Sequence, residues 1–327
     1  MSFGAERWVM ELRKLGTSDL DVSVVGLGCN NFGGRLELEA TKRVVHAALD
    51  AGINFFDTAD IYGGRGGSET QLGQLLGGER QRLVLASKFG MKMSDDGTEQ
   101  GASPAYLRRA VEGSLKRLRT DYLDLYQIHQ PDPETPIADT LGALAELVQE
   151  GHVRYLGLSN FSAEGITEAQ REAERLGVPG FVSSQDEYSL LVRDLETDLL
   201  PTLTSEKLGL LPYFPLANGL LTGKYRAGEA TPEGTRLSGR GEDDRYLNAA
   251  NLRTVDALRE FAESRDRTLL ELAFSWLLNE PVVSSVIAGA TKPEQVQANA
   301  QAASWRLSDE EIAEIDELTA EREPTEA

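Results

Sequence analysis

The 327 residues predict an α/β chain folded as a (β/α)8 barrel, because eight short apolar runs alternate with longer amphipathic segments. The runs carry β-branched and aromatic residues without strict two-residue alternation, as expected of strands buried on both faces of a parallel sheet. No linker rich in Pro, Gly or Ser divides the chain, so one barrel domain over 1–327 is expected.

The elements follow in order. Residues 10–15 and 21–25 flank Gly16-Thr17-Ser18-Asp19, a hairpin pattern suited to plugging the bottom of the barrel. The eight strands are expected at 22–27, 54–57, 83–88, 123–129, 155–159, 181–187, 208–214 and 282–287. Between the third and fourth, Leu107, Ala110, Val111, Ser114, Leu115 and Leu118 form one helical stripe; Leu141, Leu144, Ala145 and Val148 form another. Ser103-Pro104 and Thr135-Pro136 each place a capping hydroxyl before a proline suited to a first helical turn. Residues 226–245 lack apolar periodicity and read as a long loop after the seventh strand. Ser308 with Glu311 forms a capping box that opens a C-terminal helix.

Composition narrows the function. Lys and Arg total 33 against 53 Asp and Glu, a net charge of −20. Nucleic-acid binding and anionic membrane surfaces are both disfavoured, since each depends on cationic side chains. A single cysteine, Cys29, leaves no intrachain disulfide and fits a reducing compartment. With neither a signal-peptide core nor an 18-residue apolar run, the expectation is a cytoplasmic protein.

In a barrel, chemistry sits at the C-terminal strand ends. Those ends carry Gly28-Cys29-Asn30, Asp57 with Tyr62, Lys88, His129, Ser159-Asn160, Gln185 and Tyr213. Of three histidines, His46 falls mid-helix and His152 follows a helix; only His129 ends a strand. Each of these side chains has an ordinary structural use alone, but a carboxylate, a phenol, an ammonium and an imidazole converging from neighbouring strands are harder to explain by structure alone. Other phosphate-site motifs fail. Gly26-Leu27-Gly28 and Gly63–67 lack the third glycine of a dinucleotide fingerprint, and 219–224 is one residue short of a P-loop. No His/Asp/Glu cluster has metal-ligand spacing, which weakens a metal-dependent lyase or isomerase reading.

Five motifs in order carry a resemblance: Gly52-Ile53-Asn54-Phe55-Phe56-Asp57-Thr58-Ala59 with Tyr62-Gly63, Ser87-Lys88-Phe89-Gly90, the run 121–129 ending in His129, Gly157-Leu158-Ser159-Asn160-Phe161, and 215–225 from Pro215 to Tyr225. Over nearly the whole chain the sequence resembles the aldo-keto reductases, specifically the branch holding potassium-channel β subunits and many bacterial oxidoreductases. The resemblance implies a nicotinamide cofactor across the barrel mouth, a small-molecule carbonyl substrate, and a tetrad at Asp57, Tyr62, Lys88 and His129. Tyr62 would donate the proton, Lys88 would ease its loss, Asp57 would hold Lys88, and His129 would orient the carbonyl oxygen.

The cofactor contacts are likewise implied by resemblance. Gly28, Cys29 and Asn30 would line the nicotinamide ribose; Ser159, Asn160 and Gln185 would bond the carboxamide, with Tyr213 stacked on the ring. Pro215 opens the pyrophosphate segment, where the backbone of Leu216, Asn218, Gly219 and Leu220 would act with Lys224 and Arg236. Gly289, Thr291, Lys292, Gln295 and Asn299 would take the adenosine end. Gln295 stands where some members place an arginine for the 2′-phosphate, and Ala298 replaces a glutamate near the adenine. NADP(H) is expected over NAD(H), with Thr291 and Lys292 serving the phosphate. Substrate choice is expected from loops bearing Phe32, Arg35, 91–100 and 226–245. The resemblance also carries a second reading, a channel-β-like cofactor-binding subunit or redox sensor with little turnover. Oligomeric state is not legible.

Overall fold

The computed structural model describes residues 9–226, 229, 231–240 and 244–320. β1 (Leu12–Lys14) and β2 (Asp21–Ser23) pair antiparallel as the expected hairpin, with Arg13 opposite Val22. Gly16 turns it at φ +52°, where a side chain would meet Val182 O at 2.0 Å. The tip therefore seats against the barrel floor, and Leu15, Leu20 and Val22 are buried there with Phe55, Val84, Ala86, Leu125 and Leu211.

Eight parallel strands follow: β3 (Val25–Gly28), β4 (Phe55–Asp57), β5 (Val84–Phe89), β6 (Leu123–Ile128), β7 (Val153–Ser159), β8 (Phe181–Gln185), β9 (Gly209–Leu210) and β10 (Val286–Gly289). Their order is β10-β3-β4-β5-β6-β7-β8-β9. A bridge between Leu210 and Val283, and Ile287 N donating to Pro212 O at 2.9 Å, join the two ends. This curled sheet, with helices between its strands, fits the expected (β/α)8 barrel.

Three expected strands shift by three residues or more at one end. The first divides at Val24, whose N–H bonds Glu11 O: residues 21–23 serve the hairpin and 25–28 the barrel. The seventh shrinks to Gly209–Leu210 because Pro212 offers no N–H and Phe214 sits at φ +49°. The eighth begins at Val286, later than expected, because 282–284 make the closing contacts.

Both helical stripes pack inward, on Pro104–Leu118 and Ile137–Gln149, with Leu107, Val111, Leu141 and Leu144 buried. The capping expectations divide. Ser308 and Glu311 form their box. Ser103 occupies its N-cap without a side-chain cap bond, while Thr135 lies outside its helix and donates to Asp132 Oδ2 instead. A capping box at Thr268 and Glu271 was not foreseen.

Strand alternation positions the site. Phe55, Ala86 and Leu125 belong to the inner apolar layer, and two residues further along each strand come Asp57, Lys88 and Gln127. The barrel interior thus turns from apolar to polar toward its C-terminal mouth.

Candidate active site

The mouth opens into a cleft of about 680 Å³. At its base Lys88 Nζ donates to Asp57 Oδ2 at 2.7 Å and to Thr58 O at 2.9 Å. The other Asp57 oxygen accepts from Gln127 Nε2 at 3.1 Å and Gln185 Nε2 at 3.0 Å. Both partners of the ion pair are buried, and the carboxylate accepts three hydrogen bonds in all, one on Oδ2 and two on Oδ1. Burial opposes the ammonium, but Asp57 and Tyr62 outweigh it and raise the Lys88 pKa.

Lys88 Nζ stands 5.1 Å from the centroid of the Tyr62 ring, and His129 meets that ring edge-on at 5.6 Å. Burial raises the Tyr62 pKa, and Lys88 pulls against it by charge and hydrogen bond without reversing it. Burial, reinforced by the Lys88 charge, drops His129 to about 3. At neutral pH the set therefore holds a neutral imidazole, a protonated phenol and a charged lysine.

Around this base the structure gathers Gly28, Cys29, Asn30, Ser159, Asn160, Gln185, Tyr213, Pro215, Leu216, Asn218, Gly219, Lys224, Arg236, Gly289, Thr291, Lys292, Gln295 and Asn299 as cleft lining. Leu220, expected to act through its backbone, is fully buried and is not among the lining residues. Phe32 is a correction, since it is wholly buried in the core and cannot meet substrate. Of 91–100 only Met91 reaches the cleft.

The foreseen hydrogen-bonding groups are partly engaged with one another. Ser159 Oγ donates to Gln185 O at 2.8 Å, and Asn160 Nδ2 donates to His129 O at 2.9 Å. Tyr213 donates its hydroxyl to Asn160 Oδ1 at 2.8 Å. Asn160 sits at φ +62°, a conformation asparagine tolerates better than most residues. Thr291 spends both its N–H and its hydroxyl on Gln295 Oε1, at 2.7 and 3.1 Å. Lys292 is exposed at the N-cap of the Pro293–Ala302 helix and makes no ion pair among the described residues.

Arg236 bonds Asn218 Oδ1 at 3.4 Å, and its pKa is lowered by burial and then by the like charges of Arg35 and Arg240. Two lining residues hold buried polar atoms with no hydrogen-bond partner among the described residues, Asn30 Oδ1 and His129 Nδ1. An unpaired buried polar atom costs about 1–3 kcal/mol. These orphans, beside the lining cations Lys224, Arg236 and Lys292, fit a ligand that is polar at one end and anionic along its length.

Sequence reasoning missed Gln127 as an Asp57 donor, although it stands two residues beyond inward-facing Leu125. It also missed Asn31, Gln130 and Phe214, which reach the cleft from segments without regular periodicity, and Thr222 at the end of a short 3-10 helix. Asp60 was missed too: it is buried, makes no ion pair among the described residues, and burial followed by the Glu69 charge raises it to about 7.

A buried carboxylate–lysine pair beneath a phenol at the mouth of a barrel is a site equipped for proton transfer. The model of the Aldo/keto reductase family matches residues 24–320, and the chain belongs to that family. It is 37% identical over 305 residues to a probable voltage-gated potassium channel subunit beta of Arabidopsis thaliana, covering 90% of this chain and 91% of that one. It is 36% identical to an L-glyceraldehyde 3-phosphate reductase of Escherichia coli O157:H7, covering 96% and 94%. The solved holo form of the aldo-keto reductase AKR11C1 from Bacillus halodurans superposes with a TM-score of 0.77 at 35% identity, over 95% of this chain and 96% of that one. The family generally uses nicotinamide cofactors and acts on small-molecule carbonyl compounds. Among the described residues no helix is long and apolar enough to cross a membrane.

Proposed function

We propose that this chain, as one barrel domain, reduces aldehyde or ketone carbonyls to alcohols with NADP(H), used in preference to NAD(H). The observation that carries the reading is the buried Lys88–Asp57 pair directly beneath the Tyr62 ring. Reduction leaves negative charge on the former carbonyl oxygen, and that oxygen must receive a proton. Tyr62 is the donor: its raised pKa keeps it protonated at neutral pH, and Lys88 stabilises the phenolate as the proton leaves. Asp57 fixes the ammonium, and Gln127 and Gln185 fix Asp57. His129, neutral, is a hydrogen-bond donor that aims the carbonyl oxygen at Tyr62 without competing as an acid.

Bound reduced nicotinamide supplies the hydride that the carbonyl carbon takes up. Asn30, Ser159, Asn160 and Gln185 would hold its polar end against Tyr213. Lys224 and Arg236 would hold the pyrophosphate, and Lys292 would meet a 2′-phosphate, which supports NADP(H). Loss of NADPH absorbance with a simple aromatic aldehyde tests the reading; steady turnover is expected. The likeness to channel β subunits supports a second reading, a subunit that binds the cofactor and seldom turns over. Tight NADPH binding with no turnover across a carbonyl panel would favour it.

A further inference from the structure

The cleft carries Arg35, Lys224, Arg236 and Lys292 against two carboxylates, Asp57 and Glu233, in a chain of net charge −20. Asp57 is already neutralised by Lys88. The proposed cofactor phosphates engage Lys224, Arg236 and Lys292, which leaves one lining cation without a task.

That cation is Arg35. It projects from the loop after β3 and donates Nη2 to Gly234 O at 2.9 Å, reaching across to the segment that carries Arg236. It is exposed, makes no ion pair among the described residues, and stands close enough to Arg236 for its like charge to help lower that residue's pKa. A carbonyl oxygen is a weak anchor for a guanidinium, whose planar fork suits a carboxylate or phosphate. One carbonyl bond holds the side chain in place while leaving most of its five N–H donors for an incoming group.

We infer that Arg35 selects short carbonyl substrates bearing an anionic group, phosphate or carboxylate, at the end remote from the reacting carbon. This inference rests on the reductase reading and adds a substrate class to it.

The test compares matched substrates with saturating NADPH: glyceraldehyde 3-phosphate against glyceraldehyde, and succinic semialdehyde against butyraldehyde. Wild type is expected to show kcat/KM about tenfold or more higher for the charged member of at least one pair, and the favoured pair tells phosphate from carboxylate. Arg35→Ala should collapse that ratio about ten- to a hundredfold, chiefly through KM, and Arg35→Lys should restore part of it. The preference should also weaken as salt rises. NADPH dissociation constants, read by fluorescence quenching, should agree within about threefold between wild type and Arg35→Ala, since the residue is not held to touch cofactor. Equal kcat/KM within both pairs, an unchanged ratio in Arg35→Ala, or a matching loss of NADPH affinity would each overturn the inference. Absence of turnover with every aldehyde while NADPH still binds would instead overturn the reductase reading, and the inference with it.

Discussion

Lys88 Nζ lies 2.7 Å from Asp57 Oδ2 with both side chains out of reach of solvent, and each is held by further bonds from Thr58, Gln127 and Gln185. Breaking a buried ion pair by removing one partner typically costs about 3–5 kcal/mol, because the other charge is left stranded. Asp57→Asn should lower unfolding stability by about that amount in urea titrations. Lys88→Met should lose more turnover than Asp57→Asn, since it removes the charge that stabilises the phenolate rather than its support. A denaturation midpoint of Asp57→Asn equal to wild type would show that the pair is not a structural keystone.

Tyr62→Phe should cut turnover by about two to four orders of magnitude, the range for a lost acid–base group. The ring and its edge contact with His129 are retained, so NADPH affinity should hold. Turnover within threefold of wild type would remove Tyr62 from the role of proton donor.

Two buried groups should give stability slopes of opposite sign. His129 titrates at about 3 in the fold against about 6.5 in an unfolded chain, so the unfolded state binds the extra proton between those values. Stability from this residue therefore rises with pH from about 3 to 6.5, and His129→Gln should flatten that rise. Asp60 titrates at about 7 in the fold against about 3.9 unfolded, so the folded state binds the extra proton in that window. Its contribution falls as pH rises from about 4 to 7, and Asp60→Asn should gain on wild type over that range. Chemical denaturation of wild type and both variants at pH 4 and 7 decides each sign.

Lys292 is exposed at its helix start, so solvent and salt weaken its grip on a phosphate. Lys292→Ala should reduce NADPH affinity about tenfold and leave NADH nearly unchanged. Equal losses for both cofactors, measured by fluorescence quenching, would show that Lys292 does not read the 2′-phosphate.

Sequence alone determined the alternation of elements, the hairpin plug, and the strand ends that carry Asp57, Lys88 and His129, because burial on both faces writes predominantly apolar runs with polar residues gathered toward the mouth. Tertiary structure decided where Val24 changes partners, how Pro212 truncates β9, and why Leu220 and Phe32 turn into the core. It also decided that Thr291 bonds Gln295, that Gln127 serves Asp57, and that Arg35 reaches Gly234. Periodicity reports which residues are removed from water. Which atoms then meet depends on loops and side-chain angles set by contacts between residues far apart in the chain, and no local pattern encodes those.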